Sequence, residues 1–305
     1  MGYVSGLWKA ARPFSLTVSF FPPILGSLIA VIEHDNLTFN WLNFILVIMG
    51  CLIVHAGVNM FSDYFDFKRH VDRPETYGGS RVLLDKDLSP KQLIKLAVLF
   101  FSIAMSIGLY FILTLQNGLV LLWPISIGAV LGLFYTFGPI SLKYHAFGDL
   151  GVFIAFGSAM TAGAYFVQTN TFSWGSVFYA IPMALLVDAI LHSNNLRDIE
   201  YDKVAHIKTL AMILGSKAAK KFYYILIFGA YVSTVLLVFF TALPSITLVV
   251  LLSLPIAWKR VRMVHNKDEF TIQQFAAVDA MTAQLHMAFS LLFIGSLFIH
   301  HVVNL

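Results

Sequence analysis

The sequence contains nine long apolar runs, and each is close to the length that crosses a lipid bilayer. They cover residues 13–33, 41–62, 92–115, 118–138, 148–167, 173–193, 219–241, 243–258 and 274–301. Because these runs are continuous and do not alternate with polar residues, they predict helices and not the strands of a β-barrel. Only 12% of the 305 residues are charged, whereas a soluble domain has about 25%. No polar linker divides the chain, so residues 1–305 are predicted to form one domain among membrane lipids.

The basic residues indicate how such a domain is oriented in the membrane. With nine spans, all 20 Lys and Arg residues fall on one side, in the N-terminal segment and in every second connection. The opposite connections, which include residues 33–36, 116–118 and 168–170, contain none. Since basic connections stay cytoplasmic, the N-terminus is predicted to be cytoplasmic and the C-terminus outside. The same distribution accounts for the pI of about 9.0 without nucleic acid as a partner.

Two polar stretches interrupt the apolar pattern, and both end spans on the predicted cytoplasmic side. The first, residues 59–72, follows the second run and begins with Asn59, Asp63 and Asp66. These three residues are separated by four and then three positions, so on a helix they share one face. Carboxylates beside hydrocarbon are costly, and a cluster of them there indicates a functional site.

The second polar stretch, residues 192–202, follows the sixth run. Asn194, Asp198 and Asp202 are each four positions apart and form one stripe along a helix. A single stripe is as often a set of helix caps or loop ion pairs as a functional site. Two stripes in corresponding positions on one membrane face are better explained by a shared ligand.

The chemistry of the two stripes points to Mg²⁺. Oxygen ligands without Cys, and without a repeated pattern of His and carboxylate, suit a hard cation. Two carboxylate stripes repel each other unless cations lie between them, and Mg²⁺ prefers one or two carboxylates together with phosphate oxygens. The predicted ligand is therefore a diphosphate bridged by Mg²⁺. The candidate metal ligands are Asn59, Asp63, Asp66, Asn194, Asp198 and Asp202.

Basic and aromatic residues extend this interpretation to a reaction. Basic side chains near the two stripes are candidates to neutralise a departing diphosphate: Lys68, Arg69, Arg73, Arg81, Lys143 and Arg197. The apolar interior suits a long hydrocarbon tail, and 15% of the chain is aromatic. Ionisation of an allylic diphosphate leaves a carbocation, which aromatic faces stabilise as they do other cations.

At these residues the sequence resembles the UbiA superfamily of intramembrane prenyltransferases. That family carries Asn-x3-Asp-x3-Asp at the end of helix two and Asp-x3-Asp at the end of helix six. Asp198 and Asp202 match the second motif, but Phe67 stands where the first motif expects a carboxylate, which here falls at Asp66. The resulting Asn-x3-Asp-x2-Asp form resembles the branch that prenylates 1,4-dihydroxy-2-naphthoate in menaquinone synthesis. Further similarity lies at Arg12-Pro13, at Tyr135–Pro139 with Lys143, at Leu191–Asp202, at Lys208–Leu210 and at Thr282–Leu285.

The resemblance implies an all-α, polytopic membrane bundle of nine transmembrane helices around a central cavity with a cytoplasmic cap. It implies Mg²⁺-dependent transfer of a polyprenyl group from a polyprenyl diphosphate to an aromatic acceptor, with a lateral opening that admits the prenyl tail. By position, Asn59, Asp63, Asp198 and Asp202 are expected to hold Mg²⁺, with Asp66 as a further catalytic carboxylate.

The resemblance also assigns binding roles around these carboxylates. The expected diphosphate contacts are Arg12, Lys68, Arg69, Arg81, Tyr135, Lys143 and Arg197. Residues 77–81, with two adjacent glycines, are either a cap element that contacts phosphate or a simple turn. His192 and Asn195 are expected at the acceptor. Alternatively, His192 orients Asp188, four residues earlier, or forms a buried hydrogen-bonded pair with no catalytic part.

Two other functions fit parts of this pattern. A geranylgeranylglyceryl phosphate acceptor, as in archaeal ether-lipid synthesis, uses the same kind of donor site. A membrane transporter also places carboxylates in a membrane cavity, but more often near the middle of the bilayer on broken helices. Because both clusters here lie at one membrane face among basic residues, the sequence favours a phosphate site.

Overall fold

The computed structural model describes residues 3–138 and 141–303, and within them the fold is helical. The α-helices are α1 (Tyr3–Ala11), α2 (Thr17–Glu33), α3 (Trp41–Lys68), α4 (Pro90–Thr114), α5 (Leu122–Leu133), α6 (Gly148–Val152), α7 (Met160–Thr169), α8 (Trp174–Val204), α9 (Leu210–Phe240), α10 (Leu254–His265), α11 (Ile272–Phe275) and α12 (Val278–Val303). Short 3₁₀ segments precede α5 and α10, and a π-helical segment, Phe153–Ala159, joins α6 to α7. The last residue of the Tyr135–Pro139 stretch lies outside the described residues.

Among the described residues, six helical segments are long and apolar enough to cross a membrane: Trp41–Lys68, Pro90–Thr114, Gly148–Thr169, Trp174–Val204, Leu210–Phe240 and Ile272–Val303. A seventh is obtained if Tyr3–Ser15 and Thr17–Glu33, which meet at a bend of 58°, are counted as one span. The multi-pass membrane fold is thus confirmed, whereas the count of nine spans stays a prediction.

The remaining predicted spans differ from ideal transmembrane helices for identifiable reasons. In the run 118–138 the apolar helix covers only Gly118–Leu133. In the run 243–258 the chain forms a 3₁₀ segment, Ser245–Ser253, before α10 begins with Pro255 in its first turn. A proline in the first turn is compatible with helix formation because its missing N–H would have had no intrahelical partner.

α8 lies at the centre of the bundle and packs against α9, α12, α6 and the π-helical segment. Its buried residues include Ala184, Leu186, Ala189 and Leu196, and the main hydrophobic core forms around it with residues of α2, α9 and α12. Removal of this apolar surface from lipid or water fixes α8 in place, so the polar residues at its C-terminal end are held on a rigid element.

α3 and α8 both continue beyond the apolar runs that predicted them. α3 ends at Lys68 and α8 at Val204, several residues past the predicted ends at 62 and 193. Both polar stretches therefore begin as helix. The helical spacing on which the two stripes depend is present, and the carboxylates occupy the last turns of the two helices.

Candidate active site

A cavity of about 410 Å³ lies between α3, α4, α5, α7 and α8. One end is polar and is lined by Arg12, Asn59, Lys143, Asn194 and Asp279. The rest of the wall is mostly apolar and includes the aromatic side chains of Phe14, Phe101, Phe111, Tyr135 and Phe156. Such a cavity can hold a molecule with a charged head and a hydrocarbon tail.

Asp63 lies at the polar end and is only 2% exposed. Its Oδ1 is paired with the guanidinium of Arg12, which precedes α2. Its Oδ2 is buried without a hydrogen-bond partner among the described residues. The neighbouring Asn59 donates from Nδ2 to the carbonyl of Ala11 at 3.1 Å and lines the cavity. Asp63 therefore keeps one oxygen free for a further ligand.

Asp66, one turn further along α3, is 1% exposed and fully engaged. Lys143 Nζ lies 2.7 Å from its Oδ2, and the hydroxyl of Tyr144 donates to its Oδ1. Both partners come from the connection between α5 and α6, which brings a cation to this carboxylate. Arg69 lies over the ring of Tyr144, with 5.0 Å between the guanidinium carbon and the ring centroid.

Arg197 binds the acidic side chains in and beside the second stripe. Its guanidinium is 2% exposed and donates through Nε and Nη2 to the two carboxylate oxygens of Asp198, at 2.8 and 2.7 Å. Its Nη1 lies 3.1 Å from Oδ2 of Asp279 on α12. Asn194 donates to the same Asp279 oxygen at 3.1 Å. A bidentate Arg–carboxylate pair of this kind holds both side chains in a defined orientation.

The two stripes face each other across the polar end of the cavity. Asp202 is buried on α8 and lies within electrostatic range of Lys143, Asp198 and Asp66. Asp66 belongs to the first stripe and Asp198 to the second. Carboxylates of the two polar stretches are therefore close enough to influence one another's charge.

In the connection between α3 and α4, Gly78 lies against the second stripe and Gly79 lies against Asp72 of the same connection. A Cβ at Gly78 would lie 3.0 Å from Oδ2 of Asp198, and one at Gly79 would lie 2.5 Å from Oδ2 of Asp72. Arg81 holds the segment by donating to the carbonyls of Pro74 and Thr76, at 2.9 and 3.0 Å. Residues 77–81 are therefore more than an isolated turn, since their backbone lies directly against the carboxylates.

Asp72 is a carboxylate in this connection that the sequence did not single out as a site residue. Burial, together with repulsion from Asp66 and Asp63, raises the pKa of Asp72 to about 7. The charges of Lys143 and Arg12 act in the opposite direction. Asp72 therefore belongs electrostatically to the site.

The same surroundings favour the charged form of Lys143, whereas they favour the neutral form of Asp72. Burial is the largest single influence and lowers the pKa of Lys143, but Asp66, Tyr144, Tyr135 and Asp72 together outweigh burial and raise it. Burial and Asp66 also raise the pKa of the Tyr144 hydroxyl. Lys143 is accordingly a permanent cation at neutral pH, and Tyr144 remains a hydrogen-bond donor.

His192 and Asn195 lie on the other face of α8, away from the cavity. His192 is completely buried, with Nδ1 2.8 Å from Oδ1 of Asp149 and Nε2 3.1 Å from the carbonyl oxygen of Ala219. Asn195 donates to Oδ2 of Asp149 at 3.3 Å. The expected pairing of His192 with Asp188 is wrong, because the histidine turns toward α6. Positions 187, 190, 191 and 194 form the cavity face of α8 instead.

The remaining expected phosphate contacts differ in how close they come to the carboxylates. Tyr135 lines the cavity, whereas Arg69 and Arg81 support neighbouring segments. Lys68 is exposed at the end of α3, and no hydrogen bond or ion pair of its side chain occurs in residues 3–138 and 141–303. Sequence reasoning missed Asp72 and Tyr144 as members of the site, although Tyr144 follows Lys143 directly. Asp279, in the ninth apolar run, is a further member of the site that sequence reasoning did not assign.

The oxygen ligands of the site suit a Mg²⁺ ion that also binds a phosphate ligand better than an ion that the protein holds alone. In the part of the chain that the structure describes, no three His, Cys, Asp or Glu side chains come together as ligands of one metal. The free Oδ2 of Asp63 and the buried Asp202 are nevertheless suitable oxygen ligands. Mg²⁺ commonly takes one or two carboxylates and completes its shell with water and phosphate oxygens.

Comparisons with known proteins agree on one family. The UbiA prenyltransferase family profile matches residues 20–297. A 1,4-dihydroxy-2-naphthoate octaprenyltransferase of Bacillus subtilis (strain 168) is 34% identical over 288 residues, which cover 94% of this chain and 90% of that protein.

Two solved structures share the fold. A UbiA homolog from Archaeoglobus fulgidus bound to GPP and Mg²⁺ has a TM-score of 0.61 at 13% identity, over 93% of this chain and 99% of that one. A digeranylgeranylglyceryl phosphate synthase has a TM-score of 0.62 at 14% identity, over 98% of this chain and 100% of that one. With the family profile matching most of the chain, the protein belongs to the UbiA prenyltransferase family and is a multi-pass membrane transferase.

Proposed function

We propose that the protein transfers a polyprenyl group from a polyprenyl diphosphate to an aromatic acceptor of the 1,4-dihydroxy-2-naphthoate type, with Mg²⁺ as cofactor. The observation that carries this proposal is the polar end of the cavity. Asn59 and Asn194 of the two stripes line it with Arg12 and Lys143, and the carboxylates of Asp63 and Asp66 pair with those two basic residues. The Bacillus subtilis relative, whose name gives this acceptor, supports the choice of acceptor.

Arg12, Lys143 and Arg197 have two roles in this proposal. Without donor they neutralise Asp63, Asp66 and Asp198. With donor, their N–H groups bind diphosphate oxygens, because guanidinium and ammonium groups are strong donors to phosphate. The carboxylates of Asp63, Asp66, Asp198 and Asp202, with the amide oxygens of Asn59 and Asn194, are then available to hold Mg²⁺. Bound Mg²⁺ supplies positive charge that stabilises the leaving diphosphate.

The side chains of the cavity wall surround the prenyl group while it is transferred. The bond between the first prenyl carbon and the diphosphate oxygen breaks, and the diphosphate leaves with the electron pair. Aromatic side chains of the wall, among them Tyr135 and Phe156, face the allylic cation that remains. A ring carbon of the acceptor then supplies the electrons of the new carbon–carbon bond, and with a dihydroxynaphthoate the ring carboxylate is lost as carbon dioxide. The apolar wall keeps water from capturing the cation first.

A second candidate acceptor is a geranylgeranylglyceryl phosphate lipid. The fold shared with a digeranylgeranylglyceryl phosphate synthase keeps this function open. The 34% identity to a naphthoate enzyme over 94% of the chain favours the aromatic acceptor. A transporter is a weaker alternative, because the curated relative is a transferase and the carboxylates lie at helix ends.

We further propose a single domain with nine spans, a cytoplasmic N-terminus and a cytoplasmic active site. The three shorter helical segments are compatible with this count. Gly118–Leu133 and Thr17–Glu33 would each extend about 26 Å, and Ser245–His265 about 36 Å, against a hydrocarbon core of about 30 Å. The distribution of Lys and Arg gives the orientation.

The carboxylate assignment is tested with Asp63→Ala and Asp198→Ala. Prenyl transfer by the purified protein should fall at least about a thousandfold in each variant, since ligands and cation partners are lost together. Chelation of divalent cations should abolish wild-type turnover, and added Mg²⁺ should restore it. Glu200→Ala is the matched control, because Glu200 lies between Asp198 and Asp202 on α8 but is exposed. Normal turnover by either Asp variant would contradict the proposal.

The acceptor is identified in a separate experiment. The wild-type protein is incubated with Mg²⁺, geranylgeranyl diphosphate and either 1,4-dihydroxy-2-naphthoate or geranylgeranylglyceryl phosphate, and the products are identified by mass. We expect product from the naphthoate. Product from the glyceryl phosphate lipid alone would reject the aromatic acceptor but keep the prenyltransferase.

A further inference from the structure

We propose that Gly128 of α5 and Gly163 of α7 set which length of prenyl chain the cavity accepts. This inference rests on the proposed function, because it takes the cavity as the site of the prenyl tail. The inference concerns the apolar part of the cavity and not the polar end, where the diphosphate is proposed to bind.

The cavity follows α3 for much of the membrane thickness. Asn59 lines its polar end and Val47 lines it twelve residues earlier on the same helix. At 1.5 Å per residue, these two residues are about 18 Å apart along the helix axis. A linear hydrocarbon chain attached to a diphosphate at the polar end would therefore run along α3 toward Val47.

Several glycines line this cavity, but they do so for different reasons. A Cβ at Gly50 would lie 3.4 Å from Ile107, and one at Gly108 would lie 3.1 Å from Ile125. A Cβ at Gly132 would lie 2.9 Å from Val58. Those three glycines allow helices to pack closely. At Gly128 and Gly163 a Cβ would have no atom within 4 Å outside its own helix. Their missing side chains leave open space where the cavity lies.

The two open positions lie at different depths. Gly132 packs against Val58, next to Asn59, and Gly128 lies one helical turn further from the polar end, about 6 Å. On the other side, the ring of Phe156 contacts His55, with 4.7 Å between centroids. Gly163 follows Phe156 by seven residues, about 10 Å further along the cavity. Gly128 is thus the nearer position and Gly163 the deeper one.

A large side chain at these positions should shorten the usable cavity in a graded way. Leucine at position 163 would block the deep part and leave room for short donors. Leucine at position 128 would obstruct the tail closer to the diphosphate. Because apolar cavities discriminate by the space for each added carbon, the effect should increase with donor length.

The test compares Gly128→Leu, Gly163→Leu and Gly295→Leu. Gly295 is the matched control, since it lies on α12 outside the cavity lining and a Cβ there also has no atom within 4 Å. Values of kcat/KM are measured for geranyl, farnesyl and geranylgeranyl diphosphate with one acceptor and Mg²⁺. In Gly163→Leu the ratio of geranylgeranyl to geranyl donor should fall about tenfold or more, and in Gly128→Leu the farnesyl donor should be rejected too. Gly295→Leu should keep the wild-type ratios.

Unchanged donor ratios in both cavity variants, with wild-type activity intact, would overturn this inference alone. Absence of transfer from every donor by the wild-type protein would instead reject the proposed function. If a leucine variant does not fold, Gly128→Ala and Gly163→Ala provide the same comparison with a smaller side chain. A shift in ratio in the same direction is then the expected result.

Discussion

At the scale of single residues, the site is a set of charges that neutralise one another. Asp63, Asp66 and Asp198 each have a basic partner, and each carboxylate is nearly inaccessible to solvent. Removal of one member of such a buried pair leaves the other charge uncompensated, which costs about 3–5 kcal/mol. The basic partners are therefore needed for stability of the protein itself, besides the role in diphosphate binding that we propose for them.

This pairing separates two lysines that the sequence treated alike. Lys143→Gln should raise the KM for the prenyl diphosphate about tenfold or more, because it removes a part-buried cation and leaves the buried Asp66 without its ion-pair partner. Lys68→Gln should change the KM less than about threefold, because Lys68 is exposed to solvent. Steady-state kinetics with varied donor concentration measure both. Equal effects of the two substitutions would show that Lys143 has no special contact with the donor.

The residues of the two stripes were predictable, and most of their partners were not. Helical spacing alone placed Asn59 with Asp63 and Asp198 with Asp202. The partners of Asp66 are 77 and 78 positions away, and Arg197 reaches Asp279 across 82 positions. No local pattern encodes contacts at such separations. The sequence could name the basic residues as a group, but it could not assign each to a carboxylate.

At the scale of elements, the segment that runs from α6 through the π-helical turn to α7 is tightly enclosed. A Cβ at Gly157 would lie 2.2 Å from the Cβ of Ala184 on α8, and one at Gly26 of α2 would lie 2.1 Å from the carbonyl oxygen of Thr161. The glycines allow three helices to approach closely. Close approach through small residues is a common basis of helix association in membranes.

Gly26→Ala should therefore destabilise the bundle. The added methyl group would meet a backbone atom of α7 and could be accommodated only if α2 and α7 separated. The apparent Tm in detergent should fall by several degrees, in line with a cost of about 1–3 kcal/mol for overpacking. Gly295→Ala is the control, since its Cβ would enter open space, and a helix-interior alanine is favoured over glycine by roughly 0.5–1 kcal/mol. An unchanged Tm in Gly26→Ala would mean that the two helices can part without loss.

The elements themselves were predictable where apolar runs were long and unbroken. α4 matches its predicted run closely, and so does the part of α9 that follows a non-helical break at Gly215. The run 243–258 was a less accurate prediction, because hydropathy does not distinguish a 3₁₀ segment from an α-helix. The α3 and α8 helices extend beyond their apolar runs because buried partners stabilise the polar residues in their last turns.

At the scale of the whole molecule, the carboxylate site and the basic connections belong to one side. α1 is tied to the connection between α3 and α4, since Lys9 pairs with Asp87 at 2.9 Å and also with Asp85. Arg73 of that connection donates to the carbonyl of Tyr201 on α8 at 3.3 Å. These contacts join the polar ends of three elements over the mouth of the cavity.

The proposed orientation can be measured with single cysteines. Cys51 is the only cysteine, so Cys51→Ala provides a background without thiols. Lys86→Cys should be protected from a membrane-impermeant maleimide in intact cells, because position 86 is exposed in a basic connection that we propose to be cytoplasmic. Asn117→Cys, exposed in a connection without basic residues, should be labelled. The reverse labelling pattern would show that the protein is inserted the other way round.

The pairing of Arg12, Lys143 and Arg197 with carboxylates of the same chain also bears on turnover. After each transfer, the free diphosphate must dissociate before another donor can bind. Asp63, Asp66 and Asp198 are tethered beside the cations that we propose as diphosphate ligands, and a tethered competitor acts at a high effective concentration. They favour product release each time the site empties. A site with unpaired cations would bind the donor more tightly, but it would also retain the diphosphate for longer and turn over more slowly.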